Sequence, residues 1–248
     1  MRLLEIRRYP IKSLLGERLV TVDVGDRGLA GDRLWAIRDG DGKLGSGKNT
    51  QRFRRMPGLF ELRGHFAEPV PVVELPDGRR FAADDPAGHV AVSGVLARRV
   101  TITPEAEVLH HDEGPVSVIT TAGLRRLAEV AGEWVDPLRF RANLLVEVPG
   151  SGFPEEQWLG QLLQVGSGVV LRPRQPLTRC VMIDLAQEHV PEHGRLLGLL
   201  AEHHDLSFGV WATVDHPGRL RSTTPCASSP AEQGPLSAAL AGVLGGHP

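Results

Sequence analysis

Cysteine is scarce in this chain of 248 residues, where Cys180 and Cys226 are the only two. Two cysteines in a chain of this length do not make a disulfide framework, which excludes a small disulfide-stabilised secreted domain and favours a reducing, cytoplasmic location. No run approaches the roughly 18 to 20 apolar residues that span a membrane. The first ten residues are interrupted by charge and lack the apolar region of a signal peptide. The sequence therefore predicts a soluble protein with no membrane partner.

Lysine is also rare, being confined to Lys12, Lys43 and Lys48, and the formal net charge is only −2. A charge so close to neutral gives no reason to expect nucleic acid or an anionic membrane as a partner. Any anion-binding site must therefore be local. Hydrophobic residues make up 41% of the chain, which is enough for a packed core and excludes intrinsic disorder.

Short β-type runs, separated by glycine and proline, dominate the first hundred residues. They are residues 19–24, 34–38, 70–75 and 100–103. This spacing is typical of a strand-rich barrel or sandwich. Two consecutive Asp-Gly dipeptides at residues 39–42 predict a hairpin turn.

The pattern changes after Pro115. Residues 116–119 have the composition of a strand, and Thr120 or Thr121 can cap a helix over residues 122–131. Further strands are predicted over 143–148, 163–171 and 208–214, and a helix over 191–204 with Pro191 in its first turn.

Polar residues, glycine and proline fall together over residues 104–115, which predicts a domain boundary there. The predicted domains are residues 1–105 and 106–248. Residues 225–248 are rich in alanine, glycine, serine and proline, and are expected to be loosely ordered apart from a short helix over 236–244.

The string from Arg172 to Cys180 combines one thiol with three arginines. A thiolate is the form of cysteine that attacks electrophiles or binds metals, and neighbouring positive charge favours that form. Arg179 is thus a candidate activator of Cys180. The alternative is that Cys180 is a small buried hydrophobic residue without chemistry.

The other motifs in the sequence give weaker evidence for a function. Residues 42–49 nearly spell a phosphate-binding P-loop, but Asn49 stands where that pattern needs serine or threonine. His189 and His193 have the spacing of a helical zinc pair, but Pro191 lies between them. No Gly-x-Ser-x-Gly elbow of a serine hydrolase is present. The run of residues 110–113, His-His-Asp-Glu, is interpreted as a polar connector.

Scattered cationic and polar motifs would together suit a ligand with phosphate groups, a polar ring system and an atom that prefers sulfur. They are Lys12-Ser13 after Tyr9-Pro-Ile, Arg33 in Gly-Asp-Arg-Leu-Trp, Thr120-Thr121, Arg141 and Asn143 in Arg-Phe-Arg-Ala-Asn-Leu, and Thr178-Arg179-Cys180. In their order along the chain these motifs resemble the MOSC family, named for the C-terminal domain of molybdenum-cofactor sulfurase, preceded by that family's N-terminal β-barrel domain.

The resemblance implies an α+β, strand-rich fold, with a MOSC-type β-barrel core, peripheral helices and an N-terminal β-barrel-like domain. It implies a molybdenum cofactor of the molybdopterin type with Cys180 as the metal ligand, which suits a soft thiolate. It also implies catalytic work for Asp184, which would orient substrate or transfer a proton. The residues implied to hold the cofactor are Lys12, Ser13, Arg33, Thr120, Thr121, Arg141, Asn143, Thr178 and Arg179.

The best-understood relatives that the chain resembles are the mitochondrial amidoxime-reducing component and bacterial reductases of N-hydroxylated compounds. They imply an oxidoreductase that takes a small-molecule substrate and two electrons from a separate donor protein. Ala142 and residues 221–225 depart from that branch, which leaves the reaction open. The alternative is a sulfur carrier or a protein that handles the cofactor, with a persulfide on Cys180.

Overall fold

The structure is a computed structural model that describes residues 1–107, 109–223 and 226–230. Within these ranges strands predominate and three α-helices lie against the sheets, so the predicted α+β, strand-rich class is confirmed. None of the helices in the described ranges has the length and apolar character needed to cross a membrane.

The first half of the chain folds mainly into short strands with one helix. The strands are β1 (Arg2–Arg8), β2 (Ile11–Lys12), β3 (Glu17–Leu19), β4 (Thr21–Gly25), β5 (Gly28–Leu29), β6 (Trp35–Asp39), β7 (Leu44–Ser46), β8 (Phe53–Arg55), β9 (Arg63–His65), β10 (Val72–Glu74), β11 (Arg80–Ala82) and β12 (Val100–Pro104). The helix is α1 (Pro86–Val95), and a 3₁₀ turn covers Leu59–Glu61.

The second half contains longer strands and two helices. The strands are β13 (Val116–Thr120), β14 (Leu144–Glu147), β15 (Gln161–Val165), β16 (Val169–Thr178), β17 (Ser207–His216), β18 (Gly218–Arg221) and β19 (Cys226–Pro230). The helices are α2 (Thr121–Ala131) and α3 (Leu196–His204). Three 3₁₀ turns cover Pro137–Phe140, Pro154–Trp158 and Val181–Ile183.

One eight-stranded sheet organises the second half, in the order β19-β15-β16-β17-β13-β14-β1-β3. Its last two strands come from the first half: β1 pairs antiparallel with β14, placing Ile6 opposite Leu144. β18 in turn pairs with β4, a strand of the first half. Strand pairing therefore crosses the predicted domain boundary near residue 105.

The remaining N-terminal strands form their own layers. β12, β6, β7 and β8 lie side by side with β2 parallel to β6, and β9, β10 and β11 make a separate sheet. Ile11, Leu14, Ile37, Leu62 and Ile102 are buried together in this part. Lys12 is carried by the same short strand as Ile11, so this core fixes one wall of the site described below.

Local sequence signals set several elements as predicted. The Asp-Gly pairs form the turn between β6 and β7, where the Gly42 N–H donates to the Asp39 carbonyl at 2.9 Å. Thr120 caps α2, because its Oγ1 accepts from the Gly123 N–H at 2.9 Å. Gly132 ends that helix in the left-handed conformation, with φ 74°.

Three features differ from the prediction. The helix placed over 191–204 begins only at Leu196, because the chain from Pro191 to Gly194 is irregular. α1 was missed although Asp85 caps it and Pro86 opens it, since the Asp-Asp-Pro run is equally typical of a turn. Residues 225–248 were expected to be loosely ordered, but Cys226–Pro230 form β19, which pairs with β15. The helix predicted over 236–244 lies outside the described residues.

Candidate functional site

A cleft opens between the N-terminal layers and the eight-stranded sheet, with a free space of about 910 Å³ including its mouth. Its walls come from distant parts of the chain and are rich in cationic groups. They are formed by Lys12, Ser13, Arg33, Ser46, Lys48, His111, Asp112, Glu113, Gly114, Ser117, Arg139, Phe140, Arg141, Asn143, Leu177, Thr178, Arg179, Cys180, Met182 and Ile183. Eight of the residues singled out in the sequence, Lys12, Ser13, Arg33, Arg141, Asn143, Thr178, Arg179 and Cys180, are therefore brought together.

Cys180 lies where β16 ends and the 3₁₀ turn Val181–Ile183 begins, and it is partly exposed. It is in no disulfide. Cys226 differs sharply: it is packed in the sheet core, and burial raises the pKa of its thiol to about 11. The structure thus separates one thiol at a cleft from one that is a core residue.

Arg179 is half-buried beside Cys180 and is held by backbone carbonyls. Its Nε donates to the Phe208 carbonyl at 2.7 Å and its Nη1 to the Phe140 carbonyl at 2.9 Å. Burial lowers the pKa of Arg179 to about 10, so the group still carries its charge at neutral pH. Gly209 makes room for it, since a Cβ there would lie 3.2 Å from Arg179 Nη2. These contacts fix a positive charge next to the thiol.

Arg33 and Arg141 join the two walls of the cleft. Arg33 Nη2 donates to the Arg141 carbonyl at 2.9 Å, and Arg141 Nη2 donates to the Leu14 carbonyl at 2.6 Å. Both residues have a left-handed backbone, with φ 53° and 51°. The Tyr9 ring centroid lies 4.8 Å from the Cζ of Arg33 and 4.2 Å from that of Arg141. Two guanidinium groups are therefore gathered against one buried aromatic ring.

Arg141 has donor capacity that the protein does not use. Its Nη1 is buried and has no hydrogen-bond partner among the described residues. Burial lowers the pKa of the Arg141 guanidinium to about 10. The neighbouring Arg33 has its carboxylate partner in Asp32, which is fully buried. Arg141 thus lines the cleft with a guanidinium whose Nη1 is unused, which makes it a candidate partner for an anionic oxygen.

Lys12 reaches the cleft from β2 and is only 5% exposed. Its Nζ donates to Asp112 Oδ1 at 2.7 Å. Burial lowers the pKa of Lys12, and the charge of Asp112 opposes that shift. Lys48 lines the same wall. Ser13 follows with φ 69°, and its hydroxyl donates to the Gly45 carbonyl at 2.8 Å. The wall next to β7 thus holds two ammonium groups, of which that of Lys12 is paired with Asp112.

Asn143 has a structural task at the floor of the cleft. Its Oδ1 accepts from the Ser117 hydroxyl at 2.8 Å, and its Nδ2 donates to the Arg7 carbonyl at 3.2 Å. The side chain therefore ties β13 and β1 together where β14 begins. Thr178, by contrast, is exposed at the end of β16.

Thr120 and Thr121 are not among the cleft residues. The Thr120 hydroxyl caps α2 and donates to Glu155 Oε2 at 2.6 Å, while the Thr121 hydroxyl donates to the Val148 carbonyl at 3.0 Å. The fold accounts for both hydroxyls, so the expected cofactor contacts of these two residues have no support in the geometry.

Asp184 also has another task than the one expected. Its Oδ1 accepts from the Leu196 N–H at 2.7 Å and its Oδ2 from the Leu197 N–H at 3.3 Å. A carboxylate at the start of a helix satisfies open N–H groups and opposes the helix dipole. Asp184 therefore anchors α3, and its carboxylate is not among the groups that line the cleft.

Sequence reasoning missed the contribution of residues 110–113, which are more than a connector. His110 is fully buried and His111 is nearly so, while Asp112 and Glu113 line the cleft. Burial, together with Arg38 and Arg27 respectively, lowers the pKa of His110 to about 4 and that of His111 to about 3. Both imidazoles are therefore neutral at physiological pH. The available signal was the run of four titratable residues directly before Gly114.

Comparison with known proteins defines the class of protein that carries this cleft. The model of the MOSC domain matches residues 105–226, and the model of the MOSC N-terminal beta barrel domain matches residues 1–102. The chain belongs to the MOSC family, as its motifs predicted, and this membership supports a molybdenum-cofactor-related role. No curated protein matches the chain.

One solved structure supports the fold, and a second is less similar. The YuaD protein from Bacillus subtilis is 14% identical, with a TM-score of 0.53 over 93% of this chain and 96% of that one. YiiM from Geobacillus stearothermophilus is 15% identical, with a TM-score of 0.38 over 48% of this chain and 56% of that one. At such low identity the similarity to YuaD shows the fold alone.

Proposed function

We propose that this protein is a molybdenum-cofactor-dependent reductase of N-oxygenated small molecules. The observation that carries the proposal is the pairing, in one cleft, of the Cys180 thiol with the buried, unpartnered Nη1 of Arg141. The cofactor has a metal that prefers soft sulfur ligands and a phosphate that needs charged donors. The described residues fit both requirements.

The residues divide the work of holding the cofactor between the two walls. Cys180 would ligate the metal, while Arg141, Arg33, Lys12 and Lys48 would hold the phosphate and the polar ring system by charge and hydrogen bonding. When bound, the cofactor supplies a metal that changes oxidation state by two electrons and takes an oxygen atom from a substrate. Arg179, held by the Phe208 carbonyl, keeps its positive charge beside the sulfur.

The overall reaction consumes two electrons and two protons. For a hydroxylamine, R–NH–OH accepts both and yields R–NH₂ and water as the N–O bond breaks. The electrons come from a separate electron-transfer protein. The carboxyl groups that line the cleft are those of Asp112 and Glu113. Although burial opposes it, the ammonium group of Lys12 lowers the pKa of Asp112, so Glu113 is the group better placed than Asp184 to pass protons to the departing oxygen.

The test begins with metal content, because it precedes any assay of turnover. The wild-type protein, purified from a host that makes the cofactor, is expected to contain about one molybdenum per chain, and Cys180→Ala almost none. Cys226→Ala is the matched control and is expected to keep its molybdenum, since that thiol lies in the core. Molybdenum-free wild-type protein from such a host would overturn the proposal.

Turnover then separates the reductase from the alternative, a sulfur carrier with a persulfide on Cys180. The partly exposed position of this thiol would also suit a carrier. A reductase should convert a hydroxylamine or an amidoxime with reduced viologen as donor. Cyanide-releasable sulfur on Cys180 without turnover would favour the carrier instead.

A further inference from the structure

A second depression, here called the groove, lies beside the cleft and differs from it in chemistry. Its floor and walls are built mainly from Met56, Leu59, Phe60, Met182, Leu185 and Ala186. It offers about 930 Å³ of free space including its mouth. Met56 and Leu59 are each 3% exposed and belong to the N-terminal core, so the floor is fixed by packing.

The groove and the cleft share one wall. Met182 lines both, two residues after Cys180. Ser46 lines the cleft and the next residue, Gly47, lines the groove. A Cβ on Gly47 would lie 2.7 Å from Met182 Sδ, so only a thin partition separates the two spaces. The Phe60 ring, at the groove, lies 5.1 Å from the Cζ of Arg141 in the cleft.

The chemistry of the groove points to an uncharged apolar occupant. Methionine, leucine and phenylalanine side chains form an adaptable apolar surface that accepts rings and alkyl chains. Charged groups stand at its edges: Arg55, Glu61 and Glu188. Glu188 is held in place by Arg63, whose Nη2 donates to Glu188 Oε1 at 2.7 Å. The cleft differs in charge, because several lysine and arginine side chains line it.

We propose that the groove is the specificity subsite of the enzyme and binds the apolar body of the substrate, an aryl or alkyl group, while the N–O end reaches past Met182 to Cys180. This inference rests on the proposed function for the identity of the reacting group. The selection of an apolar body rests on the groove alone, and it can be tested without molybdenum.

Two probes separate the contribution of the apolar body from that of the reacting N–O group. Benzamidoxime carries a ring that would fill the groove, whereas acetamidoxime carries the same reacting group on a methyl group. The Cys180→Ala full-length protein serves for binding measured by ligand-observed NMR, so that the result does not depend on the metal. Benzamidoxime is expected to bind at least about tenfold more tightly than acetamidoxime, as is typical of a ring placed in an apolar pocket.

Ala186→Trp is designed to fill the groove without disturbing the core, because Ala186 is exposed. In the Cys180→Ala background it should weaken benzamidoxime binding at least about tenfold and leave acetamidoxime unchanged. Leu185→Asp should act in the same direction, because it places a charge in the apolar wall. Ala201→Trp, on an exposed position of α3, is the matched control and should change neither probe.

Ala186→Trp and Leu185→Asp, made with Cys180 intact in the molybdenum-loaded protein, should raise the KM for benzamidoxime at least about tenfold, with little change in kcat. If benzamidoxime binding depends on the groove but the wild-type protein turns over neither probe, the subsite would be supported and the reductase activity rejected. Turnover of both probes with a KM unaffected by Ala186→Trp would leave the reductase standing and overturn the subsite. No detectable benzamidoxime binding at millimolar concentration would also overturn it.

Discussion

Lys12 Nζ donates to Asp112 Oδ1 at 2.7 Å, and the pair joins β2 to the segment that leads into β13. The lysine is 5% exposed, whereas the aspartate side chain is 64% exposed. The carboxylate thus neutralises an ammonium group that an anionic ligand would otherwise use. Asp112 is therefore both a partner of Lys12 and a competitor of the ligand.

Replacing Asp112 with asparagine should strengthen anion binding in the cleft. Removal of one negative charge a few ångströms from the ligand should tighten pyrophosphate binding by about five- to tenfold at low salt. Isothermal titration calorimetry of the metal-free protein measures this directly. Asp77→Asn, at an exposed position with its own arginine partner, is the control. Unchanged or weaker binding in Asp112→Asn would contradict the competition.

Replacing Arg141 with lysine should weaken anion binding although the charge is kept. A lysine lacks the planar fork that allows one end to bond the Leu14 carbonyl and the other to remain free for a ligand. We expect about a tenfold loss of pyrophosphate affinity, and a similar loss of retained molybdenum. Arg126→Lys on the exposed face of α2 should change neither quantity. Equal affinities in wild type and Arg141→Lys would remove Arg141 from the site.

Asp184→Asn should act on stability and leave the chemistry largely intact. The asparagine keeps one acceptor for the Leu196 N–H but loses the charge at the start of α3, which should lower the free energy of unfolding by about 1 kcal/mol. Denaturant unfolding measures the loss of stability. Molybdenum content and kcat show whether the chemistry is retained. A large fall in kcat with wild-type stability would restore Asp184 to the catalytic set.

Glu155 should make the folded protein less stable as the pH rises. The residue is fully buried, and burial raises the pKa of its carboxyl group although the Thr120 hydroxyl opposes that shift. A raised folded-state pKa gives stability that is present below the unfolded pKa of about 4.5 and is lost as the pH passes through the folded value. In Glu155→Gln this loss should disappear, so the two unfolding free energies should diverge above pH 4.5. Parallel pH profiles would show that Glu155 is ionised in the folded state.

His110 should produce the opposite slope between about pH 4 and pH 6.5. Its Nδ1 lies 3.2 Å from the Arg33 carbonyl and its Nε2 lies 3.1 Å from Arg38 Nη2, which requires a neutral ring. Burial, with the charge of Arg38, lowers its pKa to about 4. The resulting stability is complete above the unfolded pKa of about 6.5 and is lost as the pH falls through 4, with a total of about 3 kcal/mol. His110→Gln should flatten the unfolding curve in that window, and His203→Gln on the exposed end of α3 should not.

The parts of the fold that follow from local chemistry could be predicted. The Asp-Gly pairs of residues 39–42 contain their own turn geometry, and Thr120 needs only the N–H of Gly123 to cap a helix. The resemblance in turn grouped Cys180 with Arg33 and Arg141, and all three line the cleft. Each of these inferences depends on a local motif whose structural effect does not depend on the rest of the fold.

Contacts between distant residues could not be predicted from one sequence. An aspartate four residues after the cysteine looks the same whether it faces a substrate or bonds the N–H of Leu196. Likewise, Thr120 and Thr121 are as suitable for a ligand as for the start of a helix. The histidines at 110 and 111 look solvated because their neighbours are acidic, yet Arg38 and Arg27 from the first half of the chain cover them.

The position of β1 has a consequence for how the chain folds during synthesis. This strand leaves the ribosome well before its partner β14, which lies far downstream in the sequence. Until then its apolar side chains, such as Leu3 and Ile6, have no sheet to pack on. The chain therefore completes its sheet late, through contacts of long sequence separation, and such closures are slow. Because Arg141 and Asn143 directly precede β14, the cleft can form only once this distant strand has paired with β1, so a ligand can bind there only after that pairing.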